Sequence, residues 1–479
     1  MEIWTAASGA GFNPLPNPGS RYNRRPTITK PKQMRTVLHP ARAVALGFLA
    51  AIVVGTLVLM LPAARSGSDG APVLVAFFTA VSAVCVTGMA VVDTGTYWSG
   101  FGQGMIMLLF QCGGFGMMTA ATLLGLLVNG SPRLRTKLMT QMETRTLGLG
   151  DVAAVARLVL VVTFASELII ATVLTLRLRY GYDLPWGEAA WSGGFHAVSA
   201  FTNAGFSIHA DSMVRYAGDA LVLLPMMLAI VVGGVGFPVL HDIRNRWRWG
   251  AQGRRHWSLH TKLTLAGTAL LLAGGMVAIL LAEWHNARTL GGLSVPDKLL
   301  GASFMSVAAR TAGFNAVDIG ALTQESLALH YFLMFIGGGS AGTAGGVKVG
   351  TVAILVLLVL AEVRGHSDTE AFGRRIGAAA QRQAITVVVM GSAVVVAGTM
   401  ALLAVTDFPT DQIIFEVISA FGSTGLSTGI TPQLPASGQL LLTLLMYLGR
   451  VGTITLAASL VLGGRRMPYR YAEEHPIVG

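Results

Sequence analysis

Four short stretches of this 479-residue chain put a glycine where backbone rather than side chain could do chemistry. They read Ser82-Ala-Val-Cys-Val-Thr-Gly88-Met89, Ser199-Ala-Phe-Thr-Asn-Ala-Gly205-Phe206, Val307-Ala-Ala-Arg-Thr-Ala-Gly313-Phe314 and Ser419-Ala-Phe-Gly-Ser-Thr-Gly425-Leu426. Each ends in Thr or Ala, then Gly, then a large apolar residue. The glycines lie 117, 108 and 112 residues apart, so one unit recurs four times. Glycine adopts φ values that other residues resist, and can turn carbonyls toward a common axis. A ring of such carbonyls can replace the hydration shell of a cation. A short helix ending just before each glycine would add the partial negative charge of its C-terminus.

A second glycine cluster follows each of these by 24–28 residues: Gly113-Gly114-Phe-Gly116, Gly233-Gly234-Val-Gly236, the run from Gly337 to Gly346, and Gly449-Arg450-Val-Gly452. Packing of small residues between helices explains single glycines, but not a register kept four times. The run comprises Gly337, Gly338, Gly339, Ser340, Ala341, Gly342, Thr343, Ala344, Gly345 and Gly346, with Lys348 just after it. Six glycines in ten positions cannot form a stable helix in lipid. A phosphate-binding loop would need Gly-Lys-Ser/Thr after a strand, and neither is present. Arg450 within a membrane-depth segment costs about 2.5–3.5 kcal/mol and must face a cavity or a partner. Arg310 and Glu416 are expected to form an ion pair bracing the glycine turns from behind, and Lys348 to snorkel toward the cytoplasm. His196 is expected to be packed and hydrogen-bonded. Asp93, Asp211, Asp219, Asp318, Asp407 and Asp411 are either cation attractors or ordinary loop residues.

The elements that must carry these residues are membrane helices. The chain is 53% hydrophobic and 12% charged, about half the charge of a soluble protein, which is too little to coat soluble cores of this length. Apolar stretches long enough to span occur near 38–62, 101–128, 152–178, 219–241, 261–282, 328–362, 384–406 and 437–463. Between the members of each pair lies a segment too short to span: 72–89, 187–206, 297–314 and 409–426. Of 34 Lys and Arg residues, 25 fall in the arm with Arg42, the connections near 129–157, 241–262 and 363–383, and the tail after 463. The positive-inside rule therefore places both termini in the cytoplasm, and the net charge of +11 is a topology signal rather than a nucleic-acid footprint. No disulfide or metal-ligand spacing surrounds Cys85 and Cys112.

The expected fold is an all-α integral membrane protein: four span–pore-loop–span repeats, eight transmembrane helices in all, around one central pore with pseudo-fourfold symmetry. The boundaries are a cytoplasmic basic arm over 1–37, repeat 1 over 38–130, repeat 2 over 150–245, repeat 3 over 258–365, repeat 4 over 380–465 and a tail over 466–479.

With Ala312-Gly313-Phe314-Asn315, Ser423-Thr424-Gly425-Leu426-Ser427-Thr428-Gly429 and the glycine-rich break in the sixth span, residues 38–465 resemble the Trk/Ktr/HKT potassium transporter superfamily. Eight spans without an additional N-terminal pair place the resemblance nearest its Ktr-type members. The resemblance implies a potassium-binding filter formed by the carbonyls of Val86, Thr87 and Gly88, of Asn203, Ala204 and Gly205, of Thr311, Ala312 and Gly313, and of Ser423, Thr424 and Gly425. It implies that 337–346 is a gate loop beneath the filter and that Arg450 is an electrostatic barrier beside it. It also implies potassium uptake with sodium as activator, a homodimer in the inner membrane, and a cytoplasmic ring of nucleotide-binding regulatory subunits. This chain carries no nucleotide motif of its own, and no cofactor is expected beyond the transported cation. Basic connections suit that ring or anionic lipid. An alternating-access symporter is the alternative, although it would favour inverted repeats. A membrane-embedded enzyme would need a constellation of catalytic groups at depth, where the only acids are Glu167 and Glu416.

Overall fold

A computed structural model describes residues 40–129, 149–249 and 257–452. The basic arm over 1–37, the tail over 466–479, and most of the 129–157 connection lie outside the described residues.

The chain repeats a long helix, a short helix and a second long helix. In the first unit these are α1 (Pro40–Leu59), α2 (Val73–Val84) and α3 (Gly100–Asn129). The second has α4 (Leu149–Gly181), α5 (Trp186–Thr202) and α6 (Ala220–Val235), continued by α7 (Phe237–Trp249). The third has α8 (Leu259–Glu283), α9 (Val295–Ala308), α10 (Gln324–Phe335) and α11 (Val349–Val363). The fourth has α12 (Ala378–Leu403), α13 (Thr410–Gly422) and α14 (Ala436–Tyr447), followed by a π-helical turn over Leu448–Gly452. A small antiparallel hairpin, β1 (Glu370–Ala371) and β2 (Arg374–Arg375), joins α11 to α12.

Local sequence explains where the short helices begin. Pro72, Pro185 and Pro409 occupy the N-cap positions of α2, α5 and α13, while α9 starts at Ser294 with Pro296 in its first turn. Proline suits helix starts, where its missing N–H has no partner to lose. Each short helix also buries a phenylalanine on its inner side: Phe78, Phe195, Phe304 and Phe415, all at most 1% exposed. In the first, second and fourth units both long helices pack on the short one, in the third α8 packs on α9, and between units the second long helix meets the next short helix. Thus α3 packs on α5, α6 on α9, α10 on α13 and α14 on α2, which closes the circuit. Away from this centre Leu168, Leu270, Leu281, Val389 and Met400 are exposed, an apolar exterior suited to hydrocarbon.

Two spans expected to be continuous, over 219–241 and 437–463, are broken, and the sixth is interrupted at its glycine run as expected. By length and composition, Val159–Gly181, Leu259–Glu283 and Ala378–Leu403 reach across a membrane, while Ala220–Val235 and Phe237–Arg244 are bent by 98° at Gly236. The stretch expected over 328–362 is two helices separated by the glycine run. The stretch expected over 437–463 leaves α-geometry at Leu448, and its residues after 452 lie outside the described part. Each break falls at one of the repeated glycine clusters. Hydropathy averages over such a cluster and cannot register it.

Candidate functional site

The four segments end their short helices in the same way. Val86, Asn203, Thr311 and Ser423 adopt left-handed backbone at φ 57°, 59°, 72° and 51°, and the glycine two positions later again has positive φ: 89° at Gly88, 70° at Gly205, 73° at Gly313 and 95° at Gly425. A non-glycine residue held there costs about 1–3 kcal/mol, so its surroundings must over-determine it. Part of that support is a serine strap. Ser82 Oγ donates to Met89 O (2.7 Å), Ser199 Oγ to Phe206 O (2.8 Å) and Ser419 Oγ to Leu426 O (2.6 Å), pinning the residue after each glycine. The third unit has Val307 at that offset and no hydroxyl to make this bond.

The glycines meet in a closed ring. A methyl group on Gly88 would fall within 3.0 Å of Ala204 O, one on Gly205 within 3.0 Å of Ala312 O, one on Gly313 within 3.0 Å of Thr424 O, and one on Gly425 within 3.0 Å of Thr87 O. Each unit's glycine thus lies against the carbonyl that precedes the next unit's glycine, and the fourth returns to the first. No charged side chain belongs to these four triplets; the polar groups there are backbone carbonyls, the Asn203 amide and the hydroxyls of Thr87, Thr311, Ser423 and Thr424. The carbonyls of such a ring can coordinate a desolvated cation.

The second glycine clusters have a packing cause. A side chain on Gly113 would strike Val84 O, on Gly233 Phe201 O, and on Gly449 Phe421 O. In three units, therefore, this glycine seats the second long helix on the last turn of its own short helix. In the third unit the chain folds on itself instead, with Gly337 against Gly345 O. The neck of that loop is zipped by Gly337 N to Val347 O (2.8 Å), Val347 N to Phe335 O (3.1 Å) and Val349 N to Gly338 O (3.0 Å). Its body docks at the α6–α7 elbow: Gly339 N donates to Gly234 O (2.8 Å), Thr343 N to Gly233 O (3.1 Å) and Phe237 N to Ala341 O (3.2 Å). A side chain at Gly236 would run into Ser340 O, and one at Gly345 into Gly422 O. The loop thus touches the short-helix ends of the second and fourth units.

Arg450, in the π-helical turn, is fully buried, and its Nη1 donates to Thr343 O. The expected neighbourhood of Arg450 and loop is therefore present. Two other expectations are corrected. Among the described residues no ion pair joins Arg310 to Glu416. Arg310 Nη2 donates instead to Gly337 O (3.1 Å). Glu416 accepts from Ser427 Oγ (2.7 Å), Thr428 N (2.9 Å) and Thr431 Oγ1 (2.6 Å), so it fastens the segment that leaves the ring in its own unit. Lys348 does not snorkel: its Nζ turns back to Ala344 O (2.6 Å) and Gly345 O (3.2 Å). Loop carbonyls that no helix or strand satisfies draw in all these cations, and such orphan acceptors are invisible in a sequence.

Outside the ring, His196 is packed as expected. It lies 2.8 Å from Ser192 O through Nδ1 and stacks on His209 at 4.9 Å. Burial, followed by the nearby Arg215 charge, pushes the His209 imidazole down to about 4. The outer acids are mostly structural: Asp93, Asp219 and Asp318 cap helical turns, and Asp211 pairs with Arg215 at 2.7 Å. The serine straps are a signal the sequence does carry, since Ser82, Ser199 and Ser419 recur at one offset before their glycines, whereas the proline helix starts share no single offset. Glu283, which accepts from Thr289 Oγ1 and Thr323 N, gave no such signal.

A family model described as a cation transport protein, TrkH, matches residues 25–462. The Ktr system potassium uptake protein B of Bacillus subtilis is 38% identical, with 90% of this chain and 96% of that protein aligned. The potassium/sodium uptake protein NtpJ of Enterococcus hirae is 35% identical over 95% of this chain and all of its own length. The crystal structure of the potassium transporter TrkH from Vibrio parahaemolyticus superposes with a TM-score of 0.67 at 18% identity, covering 89% of this chain and 86% of that one.

Proposed function

This chain belongs to the TrkH family of cation transport proteins, and we propose that it takes up potassium across the cytoplasmic membrane through a channel-like pore. It is a multi-pass membrane transporter, not an enzyme. The observation that carries the proposal is the closed circuit of Gly88, Gly205, Gly313 and Gly425, each against the neighbouring unit's carbonyl. On this reading the four units, with the boundaries expected from sequence, surround one pore with eight spanning segments. The carbonyls of Val86-Thr87-Gly88, Asn203-Ala204-Gly205, Thr311-Ala312-Gly313 and Ser423-Thr424-Gly425 are its filter. With one glycine per unit and varied neighbours, the filter offers fewer defined ion sites than a ring with two.

The loop over 337–346 serves as the gate and Arg450 as a barrier joined to it, a role supported by the bond to Thr343 O. Lys348 closes the loop by holding its carbonyls, and Glu416 braces the filter's outer side. Sodium acts as an activator, consistent with a relative named for potassium and sodium uptake. Partners are a second copy of the chain, anionic lipid and a cytoplasmic nucleotide-binding ring; naming of relatives as parts of a Ktr system supports a regulatory subunit. Both termini face the cytoplasm of the inner membrane.

Rubidium influx into liposomes containing the purified chain, with and without sodium, tests the function. Saturable influx that potassium competes away is expected. Liposomes no leakier to rubidium than empty ones, across both sodium conditions and with the regulatory ring added, would sink it.

A further inference from the structure

We propose that Arg310 couples the loop over 337–346 to the ion-selecting ring, so that release of the loop loosens the ring in the third unit. The coupling rests on the gate reading of the loop.

The third unit lacks the strap that the other three share. Ser82, Ser199 and Ser419 hold the backbone just past their glycines, whereas Val307 offers no hydroxyl. The turn is also built differently. Ala312 N and Gly313 N both donate to Ala308 O (3.0 and 3.2 Å). In the other units the residue before the glycine reaches the serine itself: Thr87 N to Ser82 O (2.8 Å), Ala204 N to Ser199 O (2.7 Å) and Thr424 N to Ser419 O (2.8 Å). The buried phenylalanine reflects the same change, lying nine residues before the glycine at Phe304 and ten at Phe78, Phe195 and Phe415.

In this unit an arginine immediately precedes the ring residue Thr311. Its side chain is 6% exposed and donates through Nη2 to Gly337 O at 3.1 Å. Gly337 sits at the zipped neck of the loop, where Gly337 N meets Val347 O. A guanidinium held on a carbonyl makes a charge-assisted bond, stronger than a neutral one and rigid because the fork is planar. The backbone of Arg310 therefore belongs to the ring's turn while its charge belongs to the loop's neck. Movement of the neck removes that anchor from the one turn without a serine strap. By linkage, an ion that tightens the ring must stabilise the closed loop by the same factor.

The test uses full-length chains in liposomes and reads rubidium influx and its inhibition by sodium. Four chains are compared: wild type, Arg310→Gln, a chain lacking 337–346, and the two changes combined. Arg310→Gln is expected to raise influx about tenfold and to weaken preference over sodium. The loop-deleted chain should show the same weakened preference, and adding Arg310→Gln to it should change neither reading. Equal effects of Arg310→Gln with and without the loop overturn the coupling and leave a local brace; so does wild-type behaviour of Arg310→Gln. If Arg310→Gln does not assemble, Arg310→Lys, which keeps the charge but loses the fork, is read by the same comparison. Loop deletion without any rise in influx overturns the gate reading, while the sodium-preference comparison still decides the coupling.

Discussion

At the scale of residues, the four glycines mark places where a Cβ cannot go. Gly88 lies against Ala204 O, so a serine there must displace the neighbouring unit's carbonyl as well as strain its own backbone at φ 89°. Gly88→Ser is therefore expected to lower preference for potassium over sodium by about tenfold, a change of about 1.4 kcal/mol, while the protein still assembles. Competition between sodium and rubidium influx measures it, and an unchanged ratio would show that this carbonyl does not select. The four glycines were legible from spacing alone because one chemical demand recurred four times. The destinations of Arg310, Glu416 and Lys348 were not, since opposite charges in a sequence suggest ion pairs while the folded chain offers carbonyls. Glu416 satisfies three hydroxyls and an amide within its own unit, which no pairing rule would choose.

At the scale of elements, the glycine run, the α6–α7 elbow and the π-helical turn form one assembly. Gly233 and Gly234 accept from the loop, Phe237 donates to it, and Arg450 donates to its Thr343 carbonyl. The loop is held by backbone bonds to the end of α6 and the elbow after it, each worth only about 0.5–1.5 kcal/mol net, and by Arg310, Lys348 and Arg450 on its carbonyls. It is therefore the part of this site most easily moved without disturbing a core. Arg450→Ala removes both a buried charge and a tether, and is expected to raise the maximal rate of rubidium influx several-fold. Wild-type kinetics in Arg450→Ala, with normal assembly, would refute the barrier. The sequence marked this region as non-helical through glycine content. It did not reveal that the break at Gly236 exists to receive the break at 337–346, because docking between two irregular segments leaves no periodic trace.

At the scale of the whole molecule, orientation is written in charge. Arg364, Arg374, Arg375 and Arg382 lie between α11 and the start of α12, where the positive-inside rule expects the cytoplasm. In a Cys112→Ala background, with Cys85 buried, a cysteine placed at the exposed Ser367 should react with an impermeant maleimide only when the cytoplasmic face is open to it. Labelling of intact cells from outside would invert the topology.

The sequence by itself determined that the chain belongs in a membrane and that one short glycine-ending motif recurs four times along it. Those properties follow from composition and from repetition, which survive without coordinates. Only the tertiary structure decided that the four glycines close a single circuit and that three glycine clusters seat spans on short helices. It alone showed the third unit trading a serine strap for an arginine held by the loop. The circuit joins residues more than a hundred positions apart, and the shorter-range contacts are chosen by which orphaned carbonyls the fold brings within reach of a donor.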